Sequence, residues 1–262
     1  MVYSMLRKSL IATRIVNGIR RYWQTSKHHA IVKKYKLNYY SQNNRAQAEV
    51  RARDLVRRAE SATAWIPAPL YPAGGAAGAL LLYILIRALR ELPIERVLEL
   101  GAGQTTQLLD AWARASGGNV FTFEHDQYWA DRIAATVDPT KTHVHHLPLV
   151  DIPAPGGFVK WYANPPANAF PKDGFDLVIV DGPVGTSRLS RYGIIEHIPT
   201  WLNKEWAVIW DDLDRPADLE SFAHLIQRLR ADKVVHDHVL LDGDRTIGLI
   251  YTPNYLALQY MW

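Results

Sequence analysis

Three short stretches of this chain hold the residues best able to do chemistry. In Val97–Leu109 an apolar run ends in Glu99, Gly101-Ala102-Gly103-Gln104 follows, and an amphipathic run opens at once. That is a strand turning into a helix through a loop that backbone or ligand can approach closely, because glycine has no Cβ. In Phe121-Thr-Phe-Glu-His-Asp126 a second apolar run ends in Glu124, about twenty residues beyond the glycines, where an acid commonly grips ribose hydroxyls. His125 and Asp126 follow it directly. An ordinary strand-to-helix turn also favours glycine, so the weight lies on the two signals falling in register. A dinucleotide site would carry a third small residue where this chain has Thr106, which argues against a nicotinamide enzyme.

The third stretch is divided. Asp181 closes the apolar run Phe175–Val180, and Asp211 and Asp212 close Val208–Trp210. In open α/β sheets ligands bind at the carboxyl ends of the strands. Three carboxylates meeting there repel one another unless a cation or a proton intervenes. Ligands that are all oxygen suit a hard ion such as Mg²⁺. Alternatively, Asp211 and Asp212 cap the following turn, or one of them binds substrate directly. No cysteine is present, so thiolate nucleophiles and cysteine-ligated zinc are excluded. His145, His146 and His197 are secondary candidates for a base and read more readily as surface or structural histidines.

Positioning these residues requires strands and helices in alternation, the mark of a parallel sheet covered on both faces. The pattern predicts strands at Arg96–Leu100, Val120–Phe123, Thr142–Leu147, Phe175–Val180 and Trp206–Trp210. Helices are predicted near Ala76–Glu91, Thr105–Ala115, Tyr128–Thr136, Ser187–Ile198 and Pro216–Arg230. Val234–Leu241 and Thr246–Tyr251 flank Asp242-Gly-Asp-Arg245, where Asp-Gly favours a tight turn, so the sheet should end in an antiparallel hairpin. Between the third and fourth strands, Asp151–Gly174 is rich in Pro, Gly and aromatics, including Trp161, Tyr162 and Phe170. It reads either as an acceptor-binding lid or as a passive loop. Arg188 and Arg191 either bind an anionic acceptor or are simply solvated.

At 262 residues and 48% hydrophobic content, the chain can bury a full core. Its charge is unevenly spread. Residues 1–60 carry 14 Lys/Arg against 3 Asp/Glu, while the remainder carries 16 against 23. The segment Trp65-Ile-Pro-Ala-Pro-Leu-Tyr-Pro72 breaks any helix. Residues 1–64 are therefore read as a basic helical extension and 65–262 as the catalytic domain. The apolar stretch Gly74–Ile86 is too short to span a membrane, and Arg7, Lys8 and Arg14 interrupt any signal-peptide core. A cytoplasmic protein is expected. The basic arm, with Leu6, Leu10, Ile11, Ile15, Ile19, Tyr22 and Trp23, suits peripheral contact with an anionic membrane; a docked helical cap and an organelle-targeting segment are the competing readings.

Residues 92–251 resemble the class I S-adenosylmethionine-dependent methyltransferase family, on the combination of E-x-G-x-G at Glu99–Gly103, an acid at Glu124 and Asp181-Gly-Pro183. The resemblance implies a doubly wound, seven-stranded Rossmann-like sheet ending in an antiparallel hairpin. It implies S-adenosylmethionine as cofactor, with Gly101, Ala102, Gly103 and Gln104 against its methionine part. Glu99 would hold the amino end, Glu124 the ribose, and His125 and Asp126 would flank the adenine. Asp151 is the candidate for a further adenine contact, and Asp181 borders the cofactor. The strand-end acids are similar to those of cation-dependent O-methyltransferases acting on catechols and on macrolide or antibiotic sugars. That similarity implies Asp181, Asp211 and Asp212 as Mg²⁺ ligands and Asp181 as catalytic base. Where catechol-type enzymes supply a lysine, this chain has Val184. Asp181-Gly-Pro-Val-Gly185 also resembles plant enzymes that methylate glucuronic acid on xylan.

The leading expectation is thus methyl transfer to a hydroxyl of a sugar or small polyol, assisted by a divalent cation. Two alternatives stand beside it. A nucleic-acid methyltransferase fits the basic arm, but Asn164-Pro-Pro166 precedes the fourth strand, the wrong place for an amino-methyltransferase signature. A cofactor-binding module without catalysis, associated with a membrane, is the other.

Overall fold

The computed structural model describes residues 25–40, 45–67, 69–72, 75–165, 170–171, 173–186 and 188–260. The apolar residues Leu6 to Trp23 of the proposed membrane arm lie outside the described residues. In chain order the elements are α1 (residues 25–35), β1 (Tyr39–Tyr40), α2 (Arg45–Ala62), α3 (Ala79–Glu91), β2 (Arg96–Leu100), α4 (Gln104–Ser116), β3 (Asn119–Glu124) and α5 (Gln127–Ala134). They continue with β4 (Thr142–His146), β5 (Leu149–Ala154), β6 (Gly157–Tyr162), β7 (Phe175–Val180), β8 (Leu202–Trp210), α6 (Pro216–Ala231), β9 (Asp237–Asp242) and β10 (Thr246–Tyr251).

One sheet runs in the order β1-β9-β10-β8-β7-β2-β3-β4. Strands β2, β3, β4, β7 and β8 are mutually parallel, and β10 is antiparallel to both β8 and β9. This is the doubly wound sheet with a terminal hairpin anticipated from the sequence, extended from seven strands to eight because β1 adds in parallel to the outer edge of β9. β7 and β10 are buried along their whole length, as expected for strands covered on both faces. The order reverses between β2 and β7, whose carboxyl ends carry the glycine loop and Asp181. A crevice opens at such a reversal, and ligands of open α/β sheets bind there.

The two faces carry separate cores. On one, α3 is buried over almost its whole surface because α2 covers it with the stripe Ala52, Val56 and Ala59. On the other, Tyr35 and Leu37 join Leu225, Ile226 and Leu229 of α6. Residues 25–40 and 45–62 thus cap the β9 edge of the sheet, with a helix on either face and a strand between. Arg45 fastens the cap, donating to Asp242 Oδ1 at 2.6 Å while Tyr39 donates to Asp242 Oδ2 at 2.8 Å. No described helix is long and apolar enough to cross a membrane.

Two sequence expectations are corrected. The helix expected over Ser187–Ile198 is a single 3-10 turn, Tyr192–Glu196, because Arg191 before it takes a left-handed backbone, φ 61°. Asp151–Gly174 holds an antiparallel hairpin, β5 with β6, outside the main sheet. It is pinned by Trp161, which fills the space a side chain at Gly193 would need.

Candidate active site

The glycine loop is built from beneath by Glu99, which is fully buried at the end of β2. Its Oε2 accepts from Thr106 Oγ1 at 2.6 Å and Thr122 Oγ1 at 2.9 Å, and the Thr106 hydroxyl in turn accepts from Gly103 N–H at 2.8 Å. Burial pushes the Glu99 carboxyl up to about 7, against the lowering pull of its threonine partners. Thr106, the residue that departs from the dinucleotide pattern, is therefore the link between acid and loop.

Glu124, nearly buried at the end of β3, clamps the loop from the side. Its Oε2 accepts from Ala102 N–H at 2.9 Å and its Oε1 from His125 N–H at 2.7 Å and Asp126 N–H at 2.8 Å. A carboxylate offers about four acceptor sites, so one position on Oε2 is left for a ligand hydroxyl. Asp126 caps α5 by accepting from Trp129 N–H at 2.8 Å. That cap aims the Trp129 indole back over the loop, where Nε1 donates to Ala102 O at 2.7 Å.

Together these residues wall a cavity of about 990 Å³. Gly101, Ala102, Gly103, Gln104, Glu124, His125 and Asp181 all line it. Glu99, Asp126 and Asp211 are not among the lining residues; the first is tied to the loop through Thr106 and the second caps α5. Asp151 is exposed and paired with Lys160 at 2.9 Å, and is not among the lining residues either. The described residues of 151–165 are not among those lining this cavity. Its roof comes instead from Pro67, Pro69, Leu70, Tyr71 and Gly75–Ala77, most of it the stretch read only as a helix breaker at a domain boundary. Gln104 holds the roof down, accepting from Tyr71 N–H at 2.8 Å and donating to Tyr71 O at 3.2 Å. Trp129 and this roof were missed by sequence reasoning. An aromatic three residues after a helix-capping Asp was the available signal for the first.

The histidines behave as structural groups. His146 meets His125 O at 3.2 Å. His145 is half-buried, and burial lowers its pKa. His197 stacks on Trp201 at 3.8 Å, with burial pushing its imidazole down to about 4. None of the three lines the cavity.

At the other end, Asp181, Asp211 and Asp212 converge as anticipated, each with an oxygen within 4.8 Å of the others. Asp218 lies behind them, fully buried. Arg191, itself buried, runs into their midst. Its guanidinium donates to Asp181 O at 2.7 Å, Asp211 O at 3.0 Å and Asp212 Oδ2 at 3.1 Å, and lies 3.4 Å from Asp181 Oδ1 and from Asp218. Arg215 pairs with Asp212 at 2.8 Å, and Arg245 with Asp211 at 3.1 Å and Asp212 at 3.6 Å. Burial raises the pKa of Asp181 and Asp211, each raised further by its acidic neighbours and lowered by an arginine. Arg191 is buried rather than solvated, and it borders the cavity beside Asp181 and Asp212. A left-handed backbone at a long side chain is uncommon, and here that conformation points the guanidinium inward.

The residues fit S-adenosylmethionine and do not fit Mg²⁺. For the former, no described atom lies within 4 Å of where a Gly103 Cβ would stand, and buried Glu124 keeps an acceptor site on the cavity. Against the latter, three guanidinium groups already offset most of the charge of the acids. Both Asp212 oxygens face arginines, and Asp211 is sealed from the cavity in which a metal would meet its acceptor.

No protein-family model matches the sequence, and no curated protein matches it. Solved structures similar in fold include an O-methyltransferase from Bacillus cereus in complex with SAH, at 15% identity and TM-score 0.43, covering 78% of this chain and 91% of that one. An SAH-bound methyltransferase from Podospora anserina is 12% identical with TM-score 0.44, covering 85% and 92%. A 16S rRNA N2 G1207 methyltransferase from T. thermophilus is 17% identical with TM-score 0.46, covering 71% of this chain and 44% of that one.

Proposed function

We propose that this chain transfers a methyl group from S-adenosylmethionine to a hydroxyl oxygen of a small acceptor, a sugar or other polyol. The observation that carries the reading is that Asp181 borders the same cavity as Gly103 and Glu124, with Arg191 holding its backbone carbonyl and carboxylate. The cofactor, when bound, supplies a methyl on a sulfonium whose carbon–sulfur bond breaks as the acceptor oxygen–carbon bond forms. Glu124 accepts from ribose hydroxyls through its remaining position on Oε2. The extended backbone at Gly103 leaves room against the loop, and Trp129 offers an aromatic face beside it. Asp181 takes the proton released from the acceptor hydroxyl. A pKa raised above the ordinary aspartate range makes its carboxylate a better proton acceptor near neutral pH. Most of the remaining acceleration comes from holding acceptor and methyl donor in line.

Calorimetry with S-adenosylhomocysteine and NAD, followed by transfer of labelled methyl to a panel of sugars and polyols, tests this. Binding of the first and not the second is expected. Saturable NAD binding without a response to S-adenosylhomocysteine sinks the reading.

The basic balance of residues 1–60, 14 Lys/Arg against 3 Asp/Glu, supports a peripheral contact with anionic membrane. Each cation near such a surface contributes on the order of 1 kcal/mol. Full-length protein should sediment with anionic liposomes at low salt and not at high salt. Sedimentation indifferent to salt would remove the electrostatic contact.

A further inference from the structure

We infer that the aspartate cluster works without a divalent cation, with Arg191 as its fixed internal counter-charge, and that the acceptor presents a single hydroxyl to Asp181 instead of a chelating diol. The inference rests on the proposed methyl transfer and narrows its substrate class.

Charge is the first argument. Among the described residues four carboxylates, Asp181, Asp211, Asp212 and Asp218, meet three guanidinium groups, Arg191, Arg215 and Arg245. Arginine stays protonated in proteins, so these positive charges cannot be shed by deprotonation, and that of Arg191 is buried among the acids. A divalent ion among the acids would have to sit beside the Arg191 Nη2 that already lies 3.1 Å from Asp212 and 3.4 Å from Asp181.

Access is the second. Mg²⁺ keeps water or substrate oxygens in part of its shell, so a catalytic ion must face the cavity. Asp211 does not line it, and its carboxylate accepts from Arg245. The single negative charge left over falls most naturally on Asp181, which lines the cavity and whose carboxylate stands 3.4 Å from its nearest guanidinium, against 2.8 Å for Asp212 and 3.1 Å for Asp211. A chelated diol needs two metal positions. A lone carboxylate offers one hydroxyl a place to deliver its proton.

The test is calorimetry of the full-length chain with MgCl₂ and with MnCl₂, with and without S-adenosylhomocysteine, beside the Arg245→Gln and Asp211→Asn variants. Wild type should show no saturable uptake of either metal into the millimolar range, and Arg245→Gln, which frees Asp211 and opens the cluster, should acquire it. Metal uptake by wild type that Asp211→Asn abolishes would overturn the proposal. So would absence of uptake in both wild type and Arg245→Gln, since the arginines would then not be what excludes the ion. S-adenosylhomocysteine binding, read in the same titrations, reports separately on the cofactor assignment.

Discussion

Gly101 and Gly182 stand backbone to backbone across the β2–β7 reversal: a Cβ on Gly101 would lie 2.9 Å from Gly182 N, and one on Gly182 would lie 2.7 Å from Gly101 N. Gly101 also has φ 95°, which a side chain resists. The loop glycine that reads as a place for ligand is therefore first a packing residue, joining the cofactor loop to the loop that carries Asp181. Gly103, with open space beside it, is the ligand-facing one. Gly101→Ala should destabilise the fold by roughly 2–4 kcal/mol, combining overpacking with backbone strain. Gly103→Ala should unfold like wild type and weaken S-adenosylhomocysteine binding. Denaturant melts and calorimetry on the two variants check this, and the reverse pattern would refute it.

Asp181→Asn should cut methyl transfer by about 10²–10⁴-fold, the usual contribution of a positioned base, while leaving S-adenosylhomocysteine affinity within a few-fold. Wild-type turnover should rise with pH along an acid limb displaced above the ordinary aspartate range, because burial and Asp212 favour the protonated acid. Asp181 and Asp211 titrate as a pair, so Asp211→Asn should move that limb without abolishing turnover. Turnover independent of Asp181 would assign the base elsewhere.

Glu99 sets a pH dependence of stability. Its carboxyl is raised in the folded state from an ordinary value near 4.5 to about 7, so the folded protein binds more protons than the unfolded chain between those values. Stability from this group is then complete below about 4.5 and declines as pH climbs to about 7, by roughly 3 kcal/mol in all. Glu99→Gln should flatten that part of the curve. Urea melts across this range compare the two proteins, and an unchanged slope would show that Glu99 is ionised throughout.

Arg45→Ala should loosen the cap. Asp242 is almost wholly buried while the arginine is 42% exposed, so solvent screening limits the loss to about 1 kcal/mol. Asp242→Asn should recover part of it, because the neutral amide no longer needs the cation. Tyr39 and Thr246 still donate to Asp242, which keeps the fold intact in both. A double-mutant cycle by thermal melting measures the coupling. No coupling would mean that β1 and the apolar packing of Tyr35, Leu37 and α2 hold the cap without this ion pair.

Much of this protein is decided by local pattern. Apolar runs that close in Glu99, Glu124, Asp181 and Asp211 set the strands and put those acids at one edge, because a parallel sheet aligns its carboxyl ends. The Asp-Gly turn after Asp242 sets the antiparallel finish. What the sequence does not carry is which neighbour each acid meets, since that depends on chain segments brought together from far apart. Arg191 lies 21 residues before Asp212, and nothing in its local surroundings marks it as the counter-charge of the site. The Pro-rich stretch before α3 has no periodicity and reads as a helix breaker; only its docking on Gln104 makes it a roof. Tyr39–Tyr40 is too short to announce a strand, and becomes one because β9 offers an unpaired edge. The same limit applies to the metal. Three converging carboxylates demand a positive charge on electrostatic grounds, but whether an ion or an arginine supplies it depends on tertiary packing, which here carries the Arg191 guanidinium in among them.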